Sequence, residues 1–313
     1  MNNPKDTSRC VRRAFPARTT LAASVFALAC FAGLGNIFGV PAEAKNATNN
    51  QNSILATVQN KVAAGADAKA LREELSTVIS GGCEDGSVDC TCLSRAYAPA
   101  TALDNRMEAA RFLLDSGLDI NPVSAGAGAY ETRPLDKALQ LLVAADALCS
   151  DYDEKRGIVK KDGIDAAQEG VSKIAALLVV RGAKTDGEIW LPDGPSNSYG
   201  FTSLGAAARS GSAELVGILI EKGANINKAG DYEGRAGNYN LGTPLHLAAE
   251  KGRAEIVKLL LEKGANAKSV NGRKESALKL AQEGLKYEKS EAKKEEYRQI
   301  ISMLKAASAK RRK

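Results

Sequence analysis

"TPLHLAAEKGRAEIVKLLLEKGANAK", Thr243 to Lys268, has a near copy earlier in the chain: "TSLGAAARSGSAELVGILIEKGANIN", Thr202 to Asn227. Aligned without a gap, the two agree at 14 of 26 positions. Internal repetition of that quality outranks residue-by-residue assignment. The physics of one unit is readable. Thr243 caps a helix that opens on Pro244, where proline's missing N–H costs nothing. Leu245, Leu247, Ala248 and Ala249 make a short first helix whose alanines admit a close neighbour, and Gly252 turns the chain. Ile256, Val257, Leu259, Leu260 and Leu261 make a second helix, stopped by Gly264. Its apolar face is too wide for one helical pair to cover, so each unit needs a neighbour on both sides.

The segment "GTPLHLAAEKGRAEIVKLLLEKGAN" closely resembles the ankyrin repeat, with the best matches over 201–227 and 242–268. The resemblance implies an all-α solenoid whose connectors project as hairpin or loop fingers. It also implies a structural role for His246, which in this motif hydrogen-bonds across the turn between units. Elsewhere the repeat is degenerate but traceable. "TRPLDKAL" at 132 and "VSKIAALLVVRGAKTD" at 171 look like two halves of one unit, separated by a polar insert over 150–170. "CLSRAYA" and "RMEAARFLLDSGLDIN" resemble an earlier unit, interrupted by Pro99. About six helix pairs are expected: a helical cap over 53–82, repeats over 83–274, a capping repeat over 275–308 and a basic tail over 309–313. The Lys- and Glu-rich last helix suits the polar outer face of a terminal cap.

The N-terminus reads as an export signal. A basic segment with Arg9, Arg12, Arg13 and Arg18 precedes an apolar run from Leu21 to Val40, and "AEA" at 42–44 fits a cleavage site. Cleavage after Ala44 leaves a linker over 45–52 and places the mature protein in the periplasm or outside the cell. The apolar run is also just long enough to span a bilayer uncleaved, although Gly33, Gly35 and Asn36 weaken it as an anchor. "RRAF" at 12–15 resembles the core of a twin-arginine signal, or is an ordinary basic pair. Removing residues 1–44 takes away five basic and two acidic side chains, so the net charge falls from +6 to +3. A surface so nearly balanced exerts no strong pull on nucleic acid.

Four cysteines remain: Cys83, Cys90, Cys92 and Cys149. In an exported chain an even number reads first as disulfides. "CEDGSVDC" has a turn at Asp85-Gly86-Ser87, so Cys83 pairs first with Cys90, or second with Cys92, while Cys149 lies at the far end of a later helix. Three thiolates need a fourth ligand to hold a metal, and His246 is the only histidine. With no second histidine and no phosphate-binding G-x-x-x-x-G-K-[ST], no catalytic constellation and no cofactor site is expected.

The connectors 122–131, 187–200 and 228–241 are longer than a minimal unit needs. They hold Tyr130, Trp190, Tyr199, Tyr232, Arg235 and Tyr239, including the only tryptophan. Tyr, Trp and Arg among Gly, Ser and Asn is the composition of binding loops. These six residues are the candidate partner-binding set, expected on successive fingers about 10 Å apart, the spacing of packed helices. The competing reading is that the aromatics fold down to cover the helices. The function expected is non-enzymatic: a scaffold that recognises a protein partner through its fingers and concave helix face. An immunity-type inhibitor of an exported enzyme, or an activity carried by the 150–170 insert, are the alternatives. Mass spectrometry of the exported protein is expected to find Lys45 at its N-terminus; an intact Met1 form in the cytoplasm would refute cleavage.

Overall fold

Each repeated segment folds into two short helices joined by a left-handed glycine. In the computed structural model, α7 (Ser203–Ser210) ends at Gly211 with φ 101°, and α8 (Ala213–Glu221) follows. α9 (Pro244–Glu250) and α10 (Ala254–Glu262) repeat the pattern around Gly252. The structure describes residues 54–83, 90–97, 100–121, 133–148, 161–185, 187–192, 198–234 and 237–309. The expected signal and linker, Tyr130, Arg235, Cys149 and the tail beyond 309 lie outside the described residues.

Before the repeats come α1 (54–63), α2 (Ala68–Ser80), α3 (Cys90–Tyr97), α4 (Ala100–Asp115), α5 (Pro134–Leu148) and α6 (Lys161–Val180). After them come α11 (Ala277–Tyr287) and α12 (Glu291–Ala309). The helices pack as two rows. α2, α5, α7, α9 and α11 form the first, and α4, α6, α8, α10 and α12 the second. Every member touches the next in its row and its partner across. The stripe that needed covering is buried at equivalent positions: Leu215, Val216 and Leu219 of α8, and Ile256, Val257 and Leu260 of α10. Burying one such side chain fully contributes roughly 2 kcal/mol. Asparagines repeat between units too. Asn121 Oδ1 accepts from the Lys184 N–H at 2.8 Å, and Asn227 Oδ1 from the Asn266 N–H at 2.9 Å.

Three expectations need correction. Among the described residues the contacts arrange five pairs in the two rows, so the expected six are not confirmed, and α2 takes the first-row place beside α5 that the earlier unit would give to α3. The reason is apolar area: α2 buries Leu71, Leu75, Val78 and Ile79, while α3 offers Leu93 and Tyr97. α3 instead packs on α6, with Tyr97 against Gly170. Second, the helix expected from 171 starts inside the polar insert, since α6 begins at Lys161 and buries Ile164 and Ala167. Third, the fold is not purely helical. The connectors before α7 and α9 are β-hairpins: β1 (Glu188–Pro192) with β2 (Ser198–Thr202), and β3 (Gly230–Glu233) with β4 (Tyr239–Gly242). The hairpins join through β2 and β3 into one antiparallel sheet, ordered β1-β2-β3-β4. Gly230 permits the junction, since a Cβ there would lie 2.4 Å from the Gly200 carbonyl oxygen.

At the other end, a buried arginine ties three helices. Arg106 of α4 donates through Nη1 to the Val78 carbonyl at 2.9 Å and through Nε to the Ala96 carbonyl at 3.3 Å. Its guanidinium also lies 5.0 Å from the Tyr97 ring centroid, and the Tyr97 hydroxyl donates to the Ile79 carbonyl at 2.7 Å. Burial lowers the Arg106 pKa from its ordinary value. Cys83 is bonded to Cys92, with Cα atoms 5.9 Å apart, so the first choice, Cys90, is corrected to the second. α3 starts at Cys90, and positions two apart on a helix cannot both face one partner.

Peptide mapping without reductant is expected to find the Cys83–Cys92 link. Replacing both by Ala should lower stability by about 2–3 kcal/mol, from loop closure of the unfolded chain. An unchanged denaturation midpoint would show that the bond adds nothing.

Candidate functional site

Strand pairing decides which connector residues meet. Leu191 lies opposite Tyr199, Tyr199 opposite Tyr232, and Tyr232 opposite Tyr239. Directly opposed residues share a face of the sheet, so the three tyrosines form one row. The Tyr199 and Tyr232 rings are 5.0 Å apart between centroids, and Tyr232 stacks on Tyr239 at 4.7 Å. Phe201, two residues from Tyr199 on the same face, is 6.2 Å away and stacked. At the far end Arg273 donates to the Tyr239 hydroxyl and lies 4.8 Å from that ring's centroid. Phe201 and its cross-strand neighbour Ile189 are buried where β1 and β2 meet α5 and α7. The tyrosines continue this face outward and are each half-exposed.

The expected spacing of about 10 Å between finger aromatics is thus wrong for the tyrosines, which touch because their strands pair. Trp190 does not join the row either. It lies opposite Gly200, so it occupies the other face, where its ring covers the space a Gly200 side chain would need. Of the six candidates, Tyr199, Tyr232 and Tyr239 come together, Trp190 stands apart, and Tyr130 and Arg235 lie outside the described residues.

A second cluster escaped the sequence reading. Asp146, in the last turn of α5, has a nearly buried side chain (9% exposed). It ion-pairs with Arg253 at 2.9 Å, Lys251 at 3.1 Å and Arg209 at 3.6 Å. Glu250 lies 3.7 Å from Arg209. The Arg209 guanidinium reaches 5.7 Å from the Phe201 ring, linking this cluster to the aromatic row. One signal was available. In the repeat alignment Arg209 falls on Glu250, and equivalent positions of adjacent units sit side by side in a solenoid. The contribution of Asp146 had no such signal, since it comes from a degenerate unit 107 residues before Arg253.

His246 is fully buried. Its Nδ1 accepts from the Thr243 N–H at 3.2 Å and lies 2.9 Å from the Thr243 hydroxyl. Because Nδ1 is the acceptor, Nε2 carries the proton and donates to the Ser269 carbonyl at 3.1 Å, across to the next connector. Thr243 is the N-cap and Pro244 stands at the first turn. Gly242 is required there: its φ is 111°, and a Cβ would lie 2.8 Å from the His246 side chain. Among the described residues no cluster of His, Cys, Asp and Glu could hold a metal, and no helix is long and apolar enough to cross a membrane.

Residues 199–231 match the family model described as Ankyrin repeat, and residues 228–281 the one described as Ankyrin repeats (many copies). The chain thus carries ankyrin repeats over 199–281, and such repeats indicate a scaffold for protein–protein interaction. No curated protein matches the chain.

Burial pushes the His246 pKa below its ordinary value, against hydrogen bonds to the Ser269 and Glu275 backbone that pull it up. As pH falls the unfolded chain therefore takes up the proton first. The stabilisation is full above about 6.5 and is lost as pH falls through the depressed folded value. Melting temperature is expected to drop on acidification from about pH 7 to 5, less steeply in His246→Gln. Equal slopes for both chains would assign the acid sensitivity to other groups.

Proposed function

We propose that the protein is an exported, non-enzymatic scaffold that captures a protein partner on the tyrosine-bearing face of its hairpin sheet. The observation that carries this reading is the row Phe201–Tyr199–Tyr232–Tyr239–Arg273, in which each group touches the next and the three tyrosines stay half-exposed. Tyrosine and arginine dominate binding energy at protein interfaces because they combine a broad apolar face with a polar tip. An open row on a sheet suits a protein segment better than a small molecule, which wants an enclosing pocket. Action outside the cytoplasm is supported by the signal-like first 44 residues and by the Cys83–Cys92 bond, since disulfides persist in oxidising compartments.

The test is capture from the exported fraction with the mature chain as bait. Replacing Tyr232 and Tyr239 together by Ala is expected to weaken capture by about thirty-fold or more, the loss typical of a 2 kcal/mol anchor. Trp190→Ala, on the other face, should capture normally. If Trp190→Ala abolishes capture and the tyrosine pair does not, the binding face has been assigned to the wrong side of the sheet.

A further inference from the structure

We infer that the partner presents an acidic segment, whose carboxylates seat on Arg209, Lys251 and Arg253 while its chain crosses the tyrosine row, with Phe201 buried beneath. This rests on the scaffold reading above and adds the chemistry of the partner.

The charges do not balance at the inner end of the row. Asp146 serves three cations drawn from neighbouring units, and among the described residues Glu250 is the one other acid paired with them. Arg209 is the least satisfied. Its two ion-pair distances, 3.6 and 3.7 Å, exceed hydrogen-bond length, and its buried Nε has no hydrogen-bond acceptor among the described residues. Because Nε is enclosed, an incoming carboxylate meets only the 16% of the Arg209 side chain that stays exposed, beside the more exposed Lys251 and Arg253.

The cluster is continuous with the aromatics. From the Arg209 guanidinium, contacts run to Phe201 (5.7 Å), Tyr199 (6.2 Å), Tyr232 (5.0 Å) and Tyr239 (4.7 Å), ending at Arg273. The strip therefore has cations at both ends and ring faces between. Asp231 and Glu233 alternate with Tyr232 along β3 and so belong to the opposite face. Glu275, which acts on Arg273 electrostatically, is held by Lys279 at 3.0 Å.

Among the described residues, these four cations and Lys279 stand against Asp146, Glu250 and Glu275, which leaves a small positive excess. That suits a few carboxylates and is too little for a polyphosphate chain, whose affinity grows with each phosphate neutralised. A protein segment with acidic residues separated by apolar ones fits both the charge and the rings.

The experiment selects binders to the full chain from random peptides of roughly twelve residues, which at about 3.3 Å per residue outspan the strip. Enrichment of peptides with two or more Asp or Glu is expected. For a selected peptide measured by fluorescence anisotropy, Arg209→Gln and Lys251→Gln should each weaken binding by about ten-fold, and raised salt should weaken it further. Arg209→Gln removes a counter-charge from Asp146, so melting is followed for each variant. Lys251→Gln leaves Arg253 on Asp146 and carries the test if the other unfolds. A mixed-sequence single-stranded oligonucleotide is the competitor, expected to bind at least ten-fold more weakly. Selected peptides without acidic enrichment, yet lost on Tyr232→Ala, would overturn the acidic partner and keep the scaffold. Peptides indifferent to tyrosine and cation variants alike, or no selected peptides, would overturn both readings. An oligonucleotide that binds as well as the peptide would overturn the assignment to protein.

Discussion

Leu215 and Leu219 of α8, and Val257 and Leu260 of α10, lie on helix faces that one helix pair leaves open to water. Covering them requires a neighbour, and the neighbour sets a layer spacing of 8–10 Å. Each layer also contributes a hairpin of two strands, and two strands at about 4.8 Å occupy nearly the same width. The match lets β2 and β3 close the gap between hairpins, provided that Gly230 carries no side chain. The sheet is thus a consequence of helix packing, and the aromatic row is a consequence of the sheet.

That order of causes explains what was legible in the sequence. The 26-residue repeat exposed the paired helices and their glycine stops, because each is dictated locally by caps, alanines and apolar spacing. The sheet was hidden: "GDYE" and "YNLG" are too short to show alternation, and they become strands only when the stack brings them together. For the same reason Tyr199, Tyr232 and Tyr239 could be picked out by composition but not arranged. Trp190 was grouped with them because composition carries no information about faces. The earlier units misled differently. α3 has a plausible start, but α2 buries more apolar surface and takes its place, which only competition for one site could reveal.

Charge was the least legible layer. Asp146, Arg209, Glu250, Lys251 and Arg253 come from successive units, and only the Arg209–Glu250 pairing has a trace in the repeat alignment. A carboxylate this buried is tolerable only with counter-charges around it. Asp146 therefore stitches α5 to the two repeats that follow, while leaving Arg209 incompletely satisfied. His246 does related work without charge, using a neutral ring to connect one unit's cap to the next connector.

The β2–β3 ladder also bears on how such a chain can change over generations. Repeat arrays lengthen and shorten by copying or losing whole units, which is harmless when each unit meets its neighbours through generic apolar faces. Here the boundary near residue 228 is crossed by backbone hydrogen bonds that need a glycine at 230 and an uncluttered carbonyl at Gly200. A unit duplicated or deleted at this boundary would arrive without its matched partner strand, splitting the tyrosine row. The two best-formed repeats are therefore tied into a single structural block, although the sequence presents them as interchangeable modules.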